Sequence, residues 1–348
     1  YDDVRKAHKA VFVAIGAHQG RTMRVDGEDA EGVFRGAEFL NAANSGEPPA
    51  IGNDVIVIGG GDTAIDAARV SKRLGAENVT IVYRRTIEEM PAIQEEIDGA
   101  EEEGIKIEFL VQPIEILLDG GKAVGMKCQR QELGEPDDSG RRRPVPVEGS
   151  EFEIKASAII PAISQSPIFE GLEKVGSAKT WVQVDEFQRL TGDDDGVFGG
   201  GDATNLALVT TAIAQGRIAA DTIDAYCNGE EPVAPTKKPL VGTDRVKLGF
   251  YDAKTREEPS HLPVEERFKD DVNVEINKGL TEDQVKHEAS RCMSCGMCFD
   301  CGTCWSFCQD NAIVKPMEGG GPYKYKLELC QGCKKCNEEC PCGYIEMQ

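Results

Sequence analysis

An α/β chain built on parallel sheets, followed by a small α+β domain organised around sulfur, is predicted by three observations. Residues 1 to 228 alternate short β-branched runs ("AVFVAIG", "DVIVIGG", "VTIVYRR", "IKIEFLV", "ASAIIPA") with helical stretches such as "DTAIDAARVSKRLG". Parallel strands need such crossovers, since a tight turn cannot join them. One strand, "DVIVI", runs directly into three glycines and a helix. Eleven of the 13 cysteines lie between Cys292 and Cys342.

At 348 residues the chain is long enough for two or three domains with their own cores. A net charge of -22 repels nucleic acid and anionic membrane surfaces, so protein or small-molecule partners are expected. No stretch approaches the roughly 20 apolar residues of a membrane span. Clustered cysteines without a secretion signal point to metal or cluster ligation in a reducing compartment, hence a cytoplasmic protein. Cys128 and Cys227, outside the cluster, are expected to be buried apolar residues. The chain begins "YDDVRKAHKAVFVAIGAHQG", and Val11 to Ile15 already reads as a buried strand. The sequence therefore enters a domain in mid-course, and an N-terminal part is expected to be missing.

The first chemical motif is "NDVIVIGGGDTAIDAARV". Gly59, Gly61 and Ala64 match G-x-G-x-x-G/A, with Gly60, Asp62 and Thr63 completing the turn and the helix start. The first glycine makes the turn, the second lets backbone approach a pyrophosphate, and Ala64 allows close helix packing. The helix N-terminus then presents N–H groups and a positive dipole end to phosphates. The next strand, "NVTIVYRR", ends in Arg84 and Arg85, where an NAD site places an acidic residue for the ribose 2′-hydroxyl. Guanidinium suits a 2′-phosphate, so NADP(H) is favoured over NAD(H). The alternative is an arginine capping a solvated loop. "GRRRPVP" at 140 to 146 reads as a solvated hairpin rather than a site.

"GVFGGGDATNLALVTTAIAQGRIAADTIDAYC" adds a strand, a Gly-Asp pair and a long helix. Here the chain resembles the glutamate synthase small-subunit type of flavoprotein. The resemblance covers residues 8 to 228, and it implies that Gly201 and Asp202 contact FAD. It further implies that the backbone at Val209 and Thr210 lies near the flavin, and that Gly16, in "VFVAIGA", lies close to the same cofactor. "GGGDTAIDAAR" and "VYRRTIEEMPA" resemble the NADPH segment of that family. The family's first pyrophosphate loop has no counterpart in this sequence, and Ser164 stands where the family usually has glycine. The implied domains are 1–50 for the end of the first FAD segment, 51–160 for NAD(P) and 161–228 for the second FAD segment. Residues 229–285, rich in Pro and charge, read as a linker ending in a helix at "TEDQVKHEASR", where Thr281 and Gln284 have capping-box spacing.

Residues 286–348 hold the cysteines. Cys330, Cys333, Cys336 and Cys340, followed by Pro341, form C-x2-C-x2-C-x3-C-P, the bacterial ferredoxin run in which three cysteines hold one [4Fe–4S] cluster and the fourth reaches another. Zinc, which takes four sulfurs commonly as two C-x2-C pairs, explains this spacing poorly. The earlier block has two registers: Cys292, Cys295 and Cys298, or Cys298, Cys301, Cys304 and Cys308. The second has the full spacing, and "QDNAI" after it resembles the ferredoxin "CPxxAI". One cluster is then expected on Cys298, Cys301, Cys304 and Cys340, and the other on Cys330, Cys333, Cys336 and Cys308. Cys292, Cys295 and Cys342 are left as structural or supporting thiols.

The complete expectation is two Rossmann-like nucleotide-binding domains, for FAD and NAD(P), plus a bacterial ferredoxin-type domain. Similar extensions occur on the iron–sulfur flavoprotein serving dissimilatory sulfite reductase and on the flavoprotein subunit of phenylglyoxylate-type dehydrogenases. The resemblance thus implies an NAD(P)H-dependent electron-transfer subunit of a hetero-oligomeric complex. Its partner would carry an iron–sulfur, sirohaem or thiamine-type site. Nicotinamide gives a hydride and a cluster takes single electrons, so flavin between them joins the two chemistries. No catalytic acid or base is expected. The alternative reading is a non-catalytic iron–sulfur docking subunit.

Overall fold

The structure is a computed structural model and describes residues 1–137, 140–175, 181–192, 195–234, 241–269, 273–316 and 323–347. It divides into two compact units, Tyr1–Pro235 with Phe268–Val272, and Thr236–Arg267 with Asn273–Gln348.

The first unit contains β1 (Val11–Val13), α1 (Gly36–Asn44), β2 (Asp54–Ile58), α2 (Asp62–Arg73), β3 (Asn78–Tyr83), α3 (Gln94–Glu102) and β4 (Lys106–Phe109). It continues with β5 (Val111–Asp119), β6 (Lys122–Pro136), β7 (Arg142–Lys155), β8 (Ala158–Pro161), β9 (Val197–Gly199) and α4 (Val209–Asn228). Strands β4-β3-β2-β8 form a parallel sheet in that order, and β5-β6-β7 an antiparallel meander. A second parallel pairing joins β1 to β9, with Phe12 opposite Phe198.

The sheet strands read as unbroken apolar runs because both faces are covered. Val55, Val57, Val79, Ile81 and Ile160 meet Ala64, Ile65, Ala67 and Ala68 of α2 and Ile97 of α3. Their neighbours Ile56, Ile58, Val82 and Ile159 face the other way, onto Val111, Ile116, Met126 and Cys128 of the meander. Each fully buried isoleucine contributes about 1.5–3 kcal/mol of transfer free energy. Small alanines on α2 let that helix lie close to the sheet, which fixes where its N-terminus points.

One charged network closes the helical face. Glu103, at the end of α3, has a wholly buried side chain and accepts from Arg69 at 2.9 and 3.2 Å and from Arg73 at 3.2 Å twice. Arg73 also lies over the Phe268 ring, 5.7 Å from its centroid. Burial pushes the Glu103 carboxyl up, but the two guanidinium groups more than reverse this and hold it below the ordinary value. The folded pKa is therefore depressed, so the stabilisation is present above the unfolded value of about 4.3 and is lost as pH falls through the folded one. Urea unfolding followed from pH 7 down to about pH 3 should show this loss. Glu103→Gln should remove about 3–5 kcal/mol at pH 7, since Arg73 loses its carboxylate partner and Arg69 keeps only Glu96. An unchanged midpoint would refute the assignment.

Two expectations are revised. Cys128 is buried, and burial pushes its thiol up to about 12, but Cys227 is exposed in the last turn of α4. The last turn of α4 presents that position to water rather than to the core. The stretch read as a linker is not a spacer throughout, because residues 241–267 fall in the second unit. There Lys247 N donates to Pro341 O at 2.9 Å, Arg245 Nη2 to Ile345 O at 2.9 Å, and Tyr251 Oη to Met293 O at 3.0 Å. A small cysteine domain has too few apolar side chains to form its own wall, and this segment supplies one. The capping box does form: Thr281 Oγ1 accepts from Gln284 N at 3.4 Å and Gln284 Oε1 accepts from Thr281 N at 2.9 Å, opening α5 (Glu282–Ser290).

The second unit continues with α6 (Thr303–Ser306), β10 (Ile313–Val314), β11 (Lys324–Tyr325) and α7 (Lys335–Glu338). Strands β10 and β11 pair antiparallel. Asp300 and Gly302 flank Cys301 with φ of 59° and 76°, and Gly332 and Lys334 flank Cys333 with φ of 69° and 61°. Each run thus makes the same double left-handed loop, and each then starts a short helix carrying its third cysteine, Cys304 or Cys336. Ser294 and Gly296 flank Cys295 in the left-handed region too, but no helix follows to carry Cys298.

Candidate functional site

At the end of β2 the three glycines do three different things. Gly59 has φ +148°, and a Cβ there would stand 2.4 Å from Ala162 O. A Cβ on Gly60 would enter the Tyr83 ring at 2.4 Å. Both glycines are required by the protein's own packing. Gly61 is different: its φ of -98° suits any residue, and a Cβ would meet only Pro91 Cγ at 4.0 Å. The protein leaves a cradle there that a side chain would fill, which fits a group lying against the backbone.

The α2 N-terminus opens onto that cradle. Ala64 N and Ile65 N bond to Gly61 O at 2.9 and 3.3 Å, whereas the N–H groups of Asp62 and Thr63 have no hydrogen-bond partner among the described residues. These open donors sit at the positive end of a 12-residue helix. Residues 86–93 fold against the turn: Ala92 N donates to Gly60 O at 3.1 Å, Ile93 N to Asp62 Oδ1 at 3.0 Å, and Tyr83 Oη to Glu89 O at 2.8 Å. Gln165 Nε2 lies 3.5 Å from Thr63 Oγ1, so the return strand also meets the helix start.

The two arginines after β3 have separate environments. Arg85 is buried; its Nη2 donates to Asp137 Oδ2 at 2.8 Å and its Nε to Arg142 O at 2.7 Å, tying β3 to the β6–β7 hairpin. Arg84 is exposed and makes no hydrogen bond or ion pair among the described residues. Burial of part of its length lowers its pKa, and the charges of Arg85 and Arg141 lower it further. A cation held beside two others is an anion site in waiting. "GRRRPVP" is part of the hairpin as read from sequence, with Arg142 opening β7, and Arg141 adds charge next to Arg84.

The β1–β9 half carries two further glycine turns. Gly16 has φ +67° and Gly201 φ +66°. Gly201 N donates to Gln215 Oε1 at 2.7 Å, and Asp202 Oδ1 accepts from Ala207 N at 3.3 Å. Thr211 N and Ala212 N bond to Leu208 O, which leaves the N–H groups of Val209 and Thr210 open at the start of α4. Leu208 and Val209 are 75% and 73% exposed and Ile213 59%, an uncovered apolar patch beside the Gly-Asp turn.

In the second unit, Cys298, Cys301, Cys304 and Cys340 line one cavity of about 390 Å3, together with Cys342 and the rings of Tyr323, Tyr325 and Tyr344. Burial, with the neighbouring Cys301, Cys298 and Cys340, pushes the Cys304 thiol up to about 11. Cys340 comes from the other run, 36 residues along the chain from Cys304. Burial raises Cys336, and Cys330 and Cys333 add to it, which groups these three as well. Cys308 is half-buried just after α6. Among the described residues no three His, Cys, Asp or Glu side chains converge as donors to a single metal ion. Thiols standing around a cavity instead suit a polynuclear centre, which is larger than one ion.

A parallel sheet whose glycine turn feeds an open helix N-terminus, inserted between the two segments of another α/β half, defines a two-domain nucleotide-binding oxidoreductase fold. The chain belongs to the pyridine nucleotide-disulphide oxidoreductase family, whose profile matches residues 2–216. It is 36% identical to the NADPH-Fe(3+) oxidoreductase subunit beta of Geobacter sulfurreducens, over 84% of this chain and 49% of that protein. It is 38% identical to the NADP(+)-dependent formate dehydrogenase subunit beta of Moorella thermoacetica, over 84% and 43%. With the glutamate synthase [NADPH] small chain of Escherichia coli the identity is 40%, over 64% and 51%. The chain thus spans about half the length of these relatives. Among solved structures, Mycobacterium tuberculosis FprA in complex with NADPH has the same fold over 66% of each chain, with a TM-score of 0.55 and 18% identity. The resemblance read from the motifs is therefore borne out at the level of the family. Among the described residues no helix is long and apolar enough to cross a membrane.

Proposed function

We propose that the chain carries electrons between NADP(H), FAD and two [4Fe–4S] clusters, as the electron-transfer subunit of a hetero-oligomeric complex. The observation that carries this reading is the convergence of Cys298, Cys301, Cys304 and Cys340, from two separate runs, on one cavity in a chain that also holds the glycine cradle. Residues 51–160 bind the nicotinamide nucleotide, with Gly59 and Gly60 making the turn, pyrophosphate against Gly61 and the amides of Asp62 and Thr63, and Ala64 packing the helix close. Arg84 holds the 2′-phosphate. Arg85 orients that site by fixing β3 to the hairpin.

Residues 1–50 and 161–228 contribute Gly16, Gly201, Asp202, Val209 and Thr210 to the flavin. The open amides of α4 face the isoalloxazine edge, and the apolar patch keeps water from it. The flavin, when bound, accepts an electron pair and releases electrons singly. The residues around it hold it in place and exclude solvent. Residues 286–348 hold the clusters, one on Cys298, Cys301, Cys304 and Cys340 and the other on Cys330, Cys333, Cys336 and Cys308. The "subunit beta" names of two relatives support a place in a larger complex, and a partner with an iron–sulfur, sirohaem or thiamine-type site fits one-electron delivery.

Anaerobic, flavin-replete protein should reduce a viologen dye with NADPH. Absence of dye reduction in protein that retains both flavin and iron would overturn the proposal.

A further inference from the structure

The cavity that gathers Cys298, Cys301, Cys304 and Cys340 contains a fifth thiol for a centre that takes four. Cys342 is 3% exposed, and its sulfur lies 3.8 Å from that of Cys340, within hydrogen-bond reach for a sulfur pair. Its backbone is fixed by contacts outside the cavity. Gly296 N donates to Cys342 O at 2.9 Å, and Gly343, at φ +67°, packs so closely that a Cβ would stand 2.8 Å from Val241 Cγ1. The thiol is therefore held in place by the unit's own packing.

We infer that Cys342 is the hydrogen-bond donor to the ligand Cys340, and that it thereby raises the reduction potential of the cluster on the Cys298 set. This rests on the cluster assignment made above. A cysteine bound to iron is a thiolate and has no proton, so in the Cys340–Cys342 pair only Cys342 can donate. Reduction adds one electron, part of whose charge falls on the ligand sulfurs. An S–H dipole aimed at one of them stabilises the reduced form more than the oxidised form. No bond to iron forms or breaks, and Cys342 keeps its proton in both states. The equivalent place beyond Cys308, the crossing cysteine of the other run, is Asp310, so the second cluster lacks this donor.

The test is an electron paramagnetic resonance titration, poised with dithionite, of the full chain and of Cys342→Ala and Cys342→Ser, with iron counted in each. Cys342→Ala should keep all its iron and move one of the two midpoints to lower potential. The expected change is about tenfold in the equilibrium constant for reduction, or 59 mV for a one-electron couple. The other midpoint should stay in place, and Cys342→Ser, whose hydroxyl donates, should recover most of the shift. Two unmoved midpoints at full iron would overturn the inference. So would loss of half the iron in Cys342→Ala while Cys340→Ala keeps it, since Cys342 would then be the ligand. Wild-type protein without iron would instead refute the cluster assignment itself.

Discussion

Cys304→Ala is expected to remove one cluster and leave the other. Eight cysteine thiolates holding two [4Fe–4S] clusters correspond to about eight iron and eight sulfide per chain, and the variant should retain about half of each. Cys304 sits on α6 and lines the cavity, with Cys298, Cys301 and Cys340 all close enough to raise its pKa. It has no substitute in its own run under the proposed division, which gives Cys308 to the other set. In metal-free protein its proton is held up to about pH 11, so iron must displace that proton and loading should release acid. Cys336→Ala should give the same half-loss from the other set. Stoichiometric zinc in place of iron, or complete iron loss from either variant alone, would contradict the division of ligands.

Arg84 and Arg85 should fail in opposite ways. Arg84→Ala removes a charged hydrogen-bond donor that pairs with nothing among the described residues. A hydrogen bond to a charged group contributes about 1.5–3 kcal/mol, so kcat/KM with NADPH should fall about 10- to 150-fold at that energy. The value with NADH should hardly change, and the melting temperature should not move. Arg85→Ala removes a buried guanidinium that donates to Asp137 and to the Arg142 carbonyl, and with it the tie between β3 and the hairpin. Its main effect should be a stability loss of about 3–5 kcal/mol, the usual result of removing one member of a buried pair. Equal loss with both nucleotides in Arg84→Ala would remove that residue from 2′-phosphate recognition. Normal stability in Arg85→Ala would remove the structural role.

These two arginines also mark the limit of reading the site from sequence. The chain "VYRR" announces two cations at the end of a second strand, and strand, turn, helix and strand all stand where the pattern puts them. Which guanidinium is free depends on Asp137, 52 residues away, in a meander whose polar, weakly alternating strands carry no clear signal. The same holds for the glycines. Three in a row predict a tight approach, but only the positions of Ala162 and Tyr83 separate the two that serve packing from the one that leaves space.

Sulfur was more legible. The x3 gap points to Cys308 and Cys340 as the crossing cysteines because a ferredoxin-type loop holds three ligands locally and must borrow the fourth, and Cys340 does share a cavity with Cys298, Cys301 and Cys304. The spacing could not reveal Cys342, since the C-x-C from Cys340 to Cys342 belongs to no ligand pattern and its meaning lies in a 3.8 Å contact. Nor could it reveal that residues 241–267 wall the cysteine unit. Their Pro-rich, non-periodic composition is that of a linker, and their packing is set by single hydrogen bonds to the backbone carbonyls of distant residues.

The central claim is that one polypeptide connects a two-electron donor to one-electron carriers. Anaerobic mixing of the flavin-replete protein with NADPH, followed optically at the flavin band and by electron paramagnetic resonance on the same sample, tests it most directly. Flavin bleaching accompanied by the signal of reduced clusters, at the intensity dithionite produces for at least one of them, is the predicted result. Clusters that dithionite reduces but NADPH leaves oxidised, in protein whose flavin NADPH does bleach, would contradict it.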